Sequence, residues 1–134
     1  MKTSSCKAKG RRLAQAVCNK IREKFIRLIP HDVIVQPSGI NGEDLRLSPE
    51  ATRLVPFSIE CKNREHINIW QSFEQCKKNT NPHTVRPLLV FSRNKSEIMA
   101  VLQFDDLLEL LSVLEFRRKG IDSRSLSQDW TALR

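Results

Sequence analysis

The chain has 134 residues, which fits one domain of ordinary size, and its 40% hydrophobic content supports a modest core. No stretch approaches the length of a membrane span, so a helical membrane protein is not expected. A net charge of +8, from 23 basic and 15 acidic residues, points to a polyanionic partner, with nucleic acid first among them.

In chain order, residues from about Lys7 to Ile29 predict a helix. Leu13, Val17, Ile21, Phe25 and Leu28 recur at spacings of three and four, and Pro30 ends the run. Val33–Val35 predicts a short strand. The turn-rich segment Pro37–Gly42 predicts a loop, and Glu43–Leu47 a second strand. Ser48–Pro56 reads as a connection. Phe57–Lys62 predicts a third strand, and the polar Asn63–His66 leaves the sheet. Ile67–Asn79 fits a helix with Ile69, Trp70, Phe73 and Cys76 inward. The apolar run Pro87–Phe91 predicts a buried strand, and Ile98–Leu102 its partner. Phe104–Leu114 is helical, with Asp105 and Asp106 near its start. The stretch 117–134 reads as a basic tail, partly ordered at most, after a main domain of residues 1–116. The expected fold is an α/β domain with a mixed central sheet flanked by helices.

The cysteines Cys6, Cys18, Cys61 and Cys76 show no C-x-x-C spacing, so neither a zinc knuckle nor a redox motif is visible. Cys18 and Cys61 read as small buried hydrophobes. The polar, basic start lacks the apolar core of a secretory signal. An intracellular, cytoplasmic protein with reduced thiols is therefore expected.

Phe57-Ser58-Ile59-Glu60-Cys61-Lys62 puts an acid and a base on the same side of a strand that otherwise reads as buried. Charges there are costly unless paired or bound to metal. Asp44, sixteen residues before Glu60, can complete a site for one divalent cation. Two carboxylates are hard oxygen ligands suited to Mg²⁺ or Mn²⁺, and the backbone carbonyl of Cys61 can add a third oxygen. A cation there would polarise a phosphate and lower the pKa of a water, and Lys62 would orient or deprotonate that water or steady the transition-state charge. A surface ion pair between Glu60 and Lys62 is the plainer alternative.

With Ser38-Gly39-Ile40-Asn41-Gly42-Glu43-Asp44-Leu45, then Phe57 to Asn63, then Trp70-Gln71-Ser72-Phe73-Glu74-Gln75, the chain resembles the PD-(D/E)XK nuclease superfamily. Within it the likeness is to archaeal Holliday-junction resolvases and related phage and bacterial endonucleases, over roughly residues 7 to 103. The resemblance implies a restriction-endonuclease-like core of order αβββαβ, here with an extra strand and helix. It implies that Asp44 and Glu60 bind metal, that Lys62 acts at the water, and that Gln75 assists from the following helix, with Gln71 as the weaker match. It also implies DNA as substrate, products with 5′-phosphate and 3′-hydroxyl ends, and a homodimer. The literal Pro-Asp pair is absent, because Glu43 precedes Asp44. The acid that many resolvases carry on the first helix is also absent; Gln15 stands near that place, and Glu23 lies too far along.

Lys9, Arg11 and Arg12 are expected to meet phosphates, as are Asn63 and Arg64 just after the acid–base strand. Glu43 points away from Asp44 by alternation. His31, His66 and His83 lack metal-ligand spacing, although His66 is close enough to the site to touch DNA. Trp70 reads as core. The leading expectation is a Mg²⁺-dependent endodeoxyribonuclease acting on branched junctions, at a specific duplex site or on single-stranded DNA. The alternatives are a catalytically silent nucleic-acid-binding module of the same fold, or an assembly protein with an acidic partner.

Overall fold

The computed structural model describes residues 2–37, 42–80 and 85–120. The segments 38–41, 81–84 and 121–134 lie outside the described residues, and with them most of the predicted loop, His83 and Trp130. The chain divides into two compact units, 1–101 and 102–134.

The first unit is mixed α/β. Helix α1 (Lys2–Lys24) is followed by a 3-10 turn (Pro30–Asp32) and by β1 (Val33–Val35) and β2 (Leu45–Leu47). Then come α2 (Pro49–Leu54), β3 (Phe57–Asn63), α3 (Ile69–Lys78), β4 (Arg86–Ser92) and β5 (Met99–Val101). The predicted strands all appear, with some ends shifted. The sequence reading did not anticipate α2, where two prolines suggested a plain connection. Ser48 in fact caps this helix by accepting from the Ala51 amide at 3.1 Å, with Pro49 in the first turn, where its missing N–H costs nothing.

The expected single central sheet is two small sheets. β1 pairs antiparallel with β2. β3 pairs parallel with β4, and β4 antiparallel with β5. The ladder fails between β2 and β3 because Asp44, just before β2, bonds to β3 partly through its side chain. Its amide donates to Ile59 O at 3.0 Å, while its carboxylate Oδ2 accepts from the Cys61 amide at 2.6 Å. A side-chain oxygen thus takes the place that a backbone carbonyl holds in a regular ladder.

Alternation along β3 separates two layers. Ile59 and Cys61 face Leu13, Ala14, Val17 and Cys18 of α1 in the main core, with Val90 of β4. Ser58, Glu60 and Lys62 face the other way, toward α3. There the Cys76 thiol donates to Ser58 O at 3.8 Å, and Phe73 and Cys76 are buried. Asn68 caps α3 by accepting from the Gln71 amide at 3.1 Å. β3 and β4 are therefore buried between α1 on one face and α3 on the other, as the apolar run in β4 led one to expect, while β5 carries exposed Met99 and Ala100 at the sheet edge.

Trp70 corrects the sequence reading: it is 84% exposed. The inward face of α3 is Ile69, Ser72, Phe73 and Cys76, and at roughly 100° per residue Trp70 lies off its edge.

In the second unit α4 (Phe104–Gly120) runs beyond the predicted end, so the expected boundary near residue 117 falls inside a helix. Asp105 and Asp106 occupy its first turn and Arg117, Arg118 and Lys119 its last, both favourable to the helix dipole. Its apolar residues lie all round the axis rather than in one stripe. Among the described residues, no helix is long and apolar enough to cross a membrane.

Candidate active site

Asp44, Glu60 and Lys62 meet at one cleft of about 400 Å³ along the free edge of β3. Asp44 arrives from the β1–β2 hairpin, where its carbonyl also accepts from the Gln36 amide at 2.8 Å. Glu60 is 5% exposed. Its Oε1 lies 3.7 Å from Lys62 Nζ, and its Oε2 accepts from Asn79 Nδ2 at 3.5 Å. The Cys61 amide points at Asp44, and strand geometry turns its carbonyl toward the same edge.

Electrostatics set these carboxyls apart from surface acids. Burial pushes the Glu60 pKa up, and the Asp44 charge pushes it further, against the opposing pull of Lys62 and Asn79. Burial also raises Asp44, against the Cys61 amide and Lys62. Cys61, between them, has its thiol raised first by burial and then by the Asp44 and Glu60 charges. Cys76 is pushed up to about 11, chiefly by burial. Neither thiol is a thiolate at neutral pH, so neither serves as a nucleophile.

Buried Glu60 and half-buried Asp44, two mutually repelling carboxylates, form a donor set that a hard divalent cation would satisfy. Asp44, Glu60 and the Cys61 carbonyl are the residues to hold it, with water completing its coordination. No group of three or more His, Cys, Asp or Glu suited to a metal occurs among the described residues, so a small ligand set is all the site offers. Asn63 also lines the cleft, and its buried Oδ1 has no hydrogen-bond partner among the described residues. A donor from outside the chain, such as a water, would complete it.

The opposite wall of the cleft is α1, through Lys7, Gly10, Arg11 and Ala14. These positions share one helix face. Of the expected phosphate contacts, Arg11, Asn63 and Arg64 line the cleft. Lys9 and Arg12 do not, because they project roughly 140–200° round the helix from Lys7. Lys7 was missed, although its spacing to Arg11 and Ala14 could have revealed it. Gln15 is exposed, donates to Asn19 Oδ1 at 3.1 Å, and does not join the cleft.

Gln75 and Gln71 do not line this cleft. They line an adjoining hollow of about 390 Å³ on the α3 side, shared with Lys62 and Arg64. Asn79, read from sequence as the end of the helix, is the C-cap of α3 and also donates to Glu60. Glu43 is partly buried and lines neither hollow, and His66 is exposed.

No known protein family, curated protein or solved structure matches this chain.

Proposed function

We propose that the chain is a metal-dependent endodeoxyribonuclease of the PD-(D/E)XK kind. The observation that carries this reading is the convergence of Asp44, buried Glu60 and Lys62 on one cleft whose far wall presents Lys7 and Arg11. The element order α1, hairpin, β3, α3, β4 agrees with the core of that superfamily, and the break between β2 and β3 is a departure from it.

Mg²⁺, with Mn²⁺ as substitute, would be held by Asp44, Glu60 and the Cys61 carbonyl. It would supply polarisation of the scissile phosphate and a lowered pKa for the attacking water. The chain's own residues do the rest. Lys62, 3.7 Å from Glu60, stands where it can orient or deprotonate that water or steady the transition-state charge. Lys7 and Arg11 hold the DNA backbone, as do Asn63 and Arg64, without reading sequence. Gln75 serves from the adjoining hollow, where it reaches the substrate beside Lys62. A double-strand cut needs either two such sites, which a two-fold homodimer would provide, or two successive nicks by one.

A second reading, a silent DNA-binding module, gains support from the bond between Asp44 and the Cys61 amide. That bond gives the chain a structural reason to keep Asp44 without catalysis. One experiment separates the two. Labelled linear duplex, single strand, nicked duplex and four-way junction are incubated with Mg²⁺, Mn²⁺ or EDTA, beside Lys62→Ala, Asp44→Asn and Asp44→Ala. The nuclease reading expects metal-dependent cutting that is lost in all three variants. Asp44→Asn keeps an acceptor for the Cys61 amide and should fold nearly as well as the parent, whereas Asp44→Ala leaves that amide unpaired at a cost of about 1–3 kcal/mol. No cutting with salt-sensitive binding retained favours the silent module, and full metal-dependent cutting in Asp44→Asn would instead remove Asp44 from the catalytic set.

A further inference from the structure

We propose that Phe91 and Met99, beside Lys62, form a platform for an unpaired nucleotide of the bound nucleic-acid strand. Pairing places Lys62 opposite Phe91 in the parallel ladder and Phe91 opposite Met99 in the antiparallel one. Directly paired residues point to the same side of a sheet, so the three side chains form one row across β3, β4 and β5. Met99 is 52% exposed and Phe91 is partly buried. Both line a hollow of about 520 Å³ with Arg64, Arg93 and Lys95.

The cations come from a turn that is already built. The Ser92 hydroxyl lies 3.1 Å from Arg93 O and 3.2 Å from both Ser96 O and Glu97 O. Arg93 Nε donates to Ser96 Oγ at 3.1 Å. The Asn94 amide donates to Glu65 Oε1 at 3.0 Å, which ties the turn to the segment after β3. Lys95 holds a left-handed φ of 56° within this network. A pre-ordered turn loses little freedom when a ligand arrives. Of the two acids in the hollow, Glu65 is engaged by the Asn94 amide, which leaves Glu97 against three cations.

An apolar floor alone would suit many ligands, and cations alone any anion. An aromatic ring and a thioether edged by arginine and lysine match the base and phosphates of one nucleotide together. Arg64 also lines the candidate active site and the hollow between them, so a strand held at the cleft continues onto this row. A base in an intact duplex cannot lay its face on the platform without leaving its stack. The substrate class is therefore nucleic acid with unpaired nucleotides beside the scissile phosphate. That last step rests on the nuclease reading; the nucleotide site itself does not.

The test is equilibrium binding in EDTA of a labelled oligothymidylate and of a blunt duplex of the same length. Parent protein is compared with Phe91→Ala and with Met99→Ser, an exposed change that spares the fold if Phe91→Ala does not. Loss of one stacked base predicts single-strand binding weaker by about fivefold or more, with duplex binding changed less than about twofold. Unchanged single-strand binding in Met99→Ser, or equal losses on both ligands, overturns the proposal. Because EDTA silences any cleavage, a failed nuclease reading leaves this result standing, and an active nuclease with no such selectivity overturns the platform alone.

Discussion

Glu60 is held in the fold at an electrostatic cost. Its pKa is raised in the folded state, chiefly by burial and then by Asp44, so the folded protein binds its proton more tightly than the unfolded chain does. The sign follows from linkage: the penalty is absent below the unfolded value near 4.5, grows as pH rises from there, and is complete above the folded pKa. Glu60→Gln removes the penalty while keeping the shape. In metal-free buffer it is expected to raise the melting temperature at pH 7 to 8, with the gain vanishing by about pH 4. Mg²⁺ or Mn²⁺ should raise the melting temperature of the parent and not of Glu60→Gln. Thermal melts across pH with and without metal check both; a variant less stable than the parent at neutral pH would show that the 3.7 Å contact with Lys62 outweighs burial. Asp32 has the opposite sign. Ser48 and the Ile29 amide hydrogen-bond its carboxylate and lower its pKa, so its contribution to stability fades as pH falls.

Helix α3 shows how far periodicity reaches at the scale of an element. Its apolar spacing located a helix and its inner face through Phe73 and Cys76. It could not separate Trp70 at the edge of that face from the core, because a stripe read from sequence has no sharp border. Phe73→Ala is expected to cost about 3–5 kcal/mol in denaturant unfolding, while Trp70→Ala should stay within about 0.5 kcal/mol. A large loss at Trp70 would mean that its ring is covered in solution. Helix α2 was hidden for a different reason. Proline reads as a breaker, but after a capping serine it begins a helix, and that meaning depends on the Ser48 side chain bonding back to Ala51.

Across the whole molecule, the +8 charge predicts an association that weakens steeply with salt. The fold sharpens this into a contrast between two pairs of residues on one helix. Lys7 and Arg11 face the cleft, and Lys9 and Arg12 face away from it. Replacing Lys7 or Arg11 by Ala should lower the slope of log binding constant against log salt by about one each. Lys9→Ala and Arg12→Ala should change it by much less. Titrations of a fixed duplex at several salt concentrations decide this, and equal slopes for all four variants would place the DNA path elsewhere.

The sequence by itself determined the α/β class, the order of most elements, the two-sided cover of the β4 strand, and the acid–base pair Glu60 and Lys62. These follow from alternation, helical spacing and the cost of burying charge, all of which act over a few residues. Only the tertiary structure decided that Asp44 closes the gap between two sheets through its side chain. It also decided that Lys7 rather than Lys9 faces the site, that Gln75 stands in a neighbouring hollow, and that Lys62, Phe91 and Met99 share a row. Each of these depends on strand register or on which helix face meets the sheet. Register and packing are fixed by contacts between segments far apart in the chain, and no local pattern carries them.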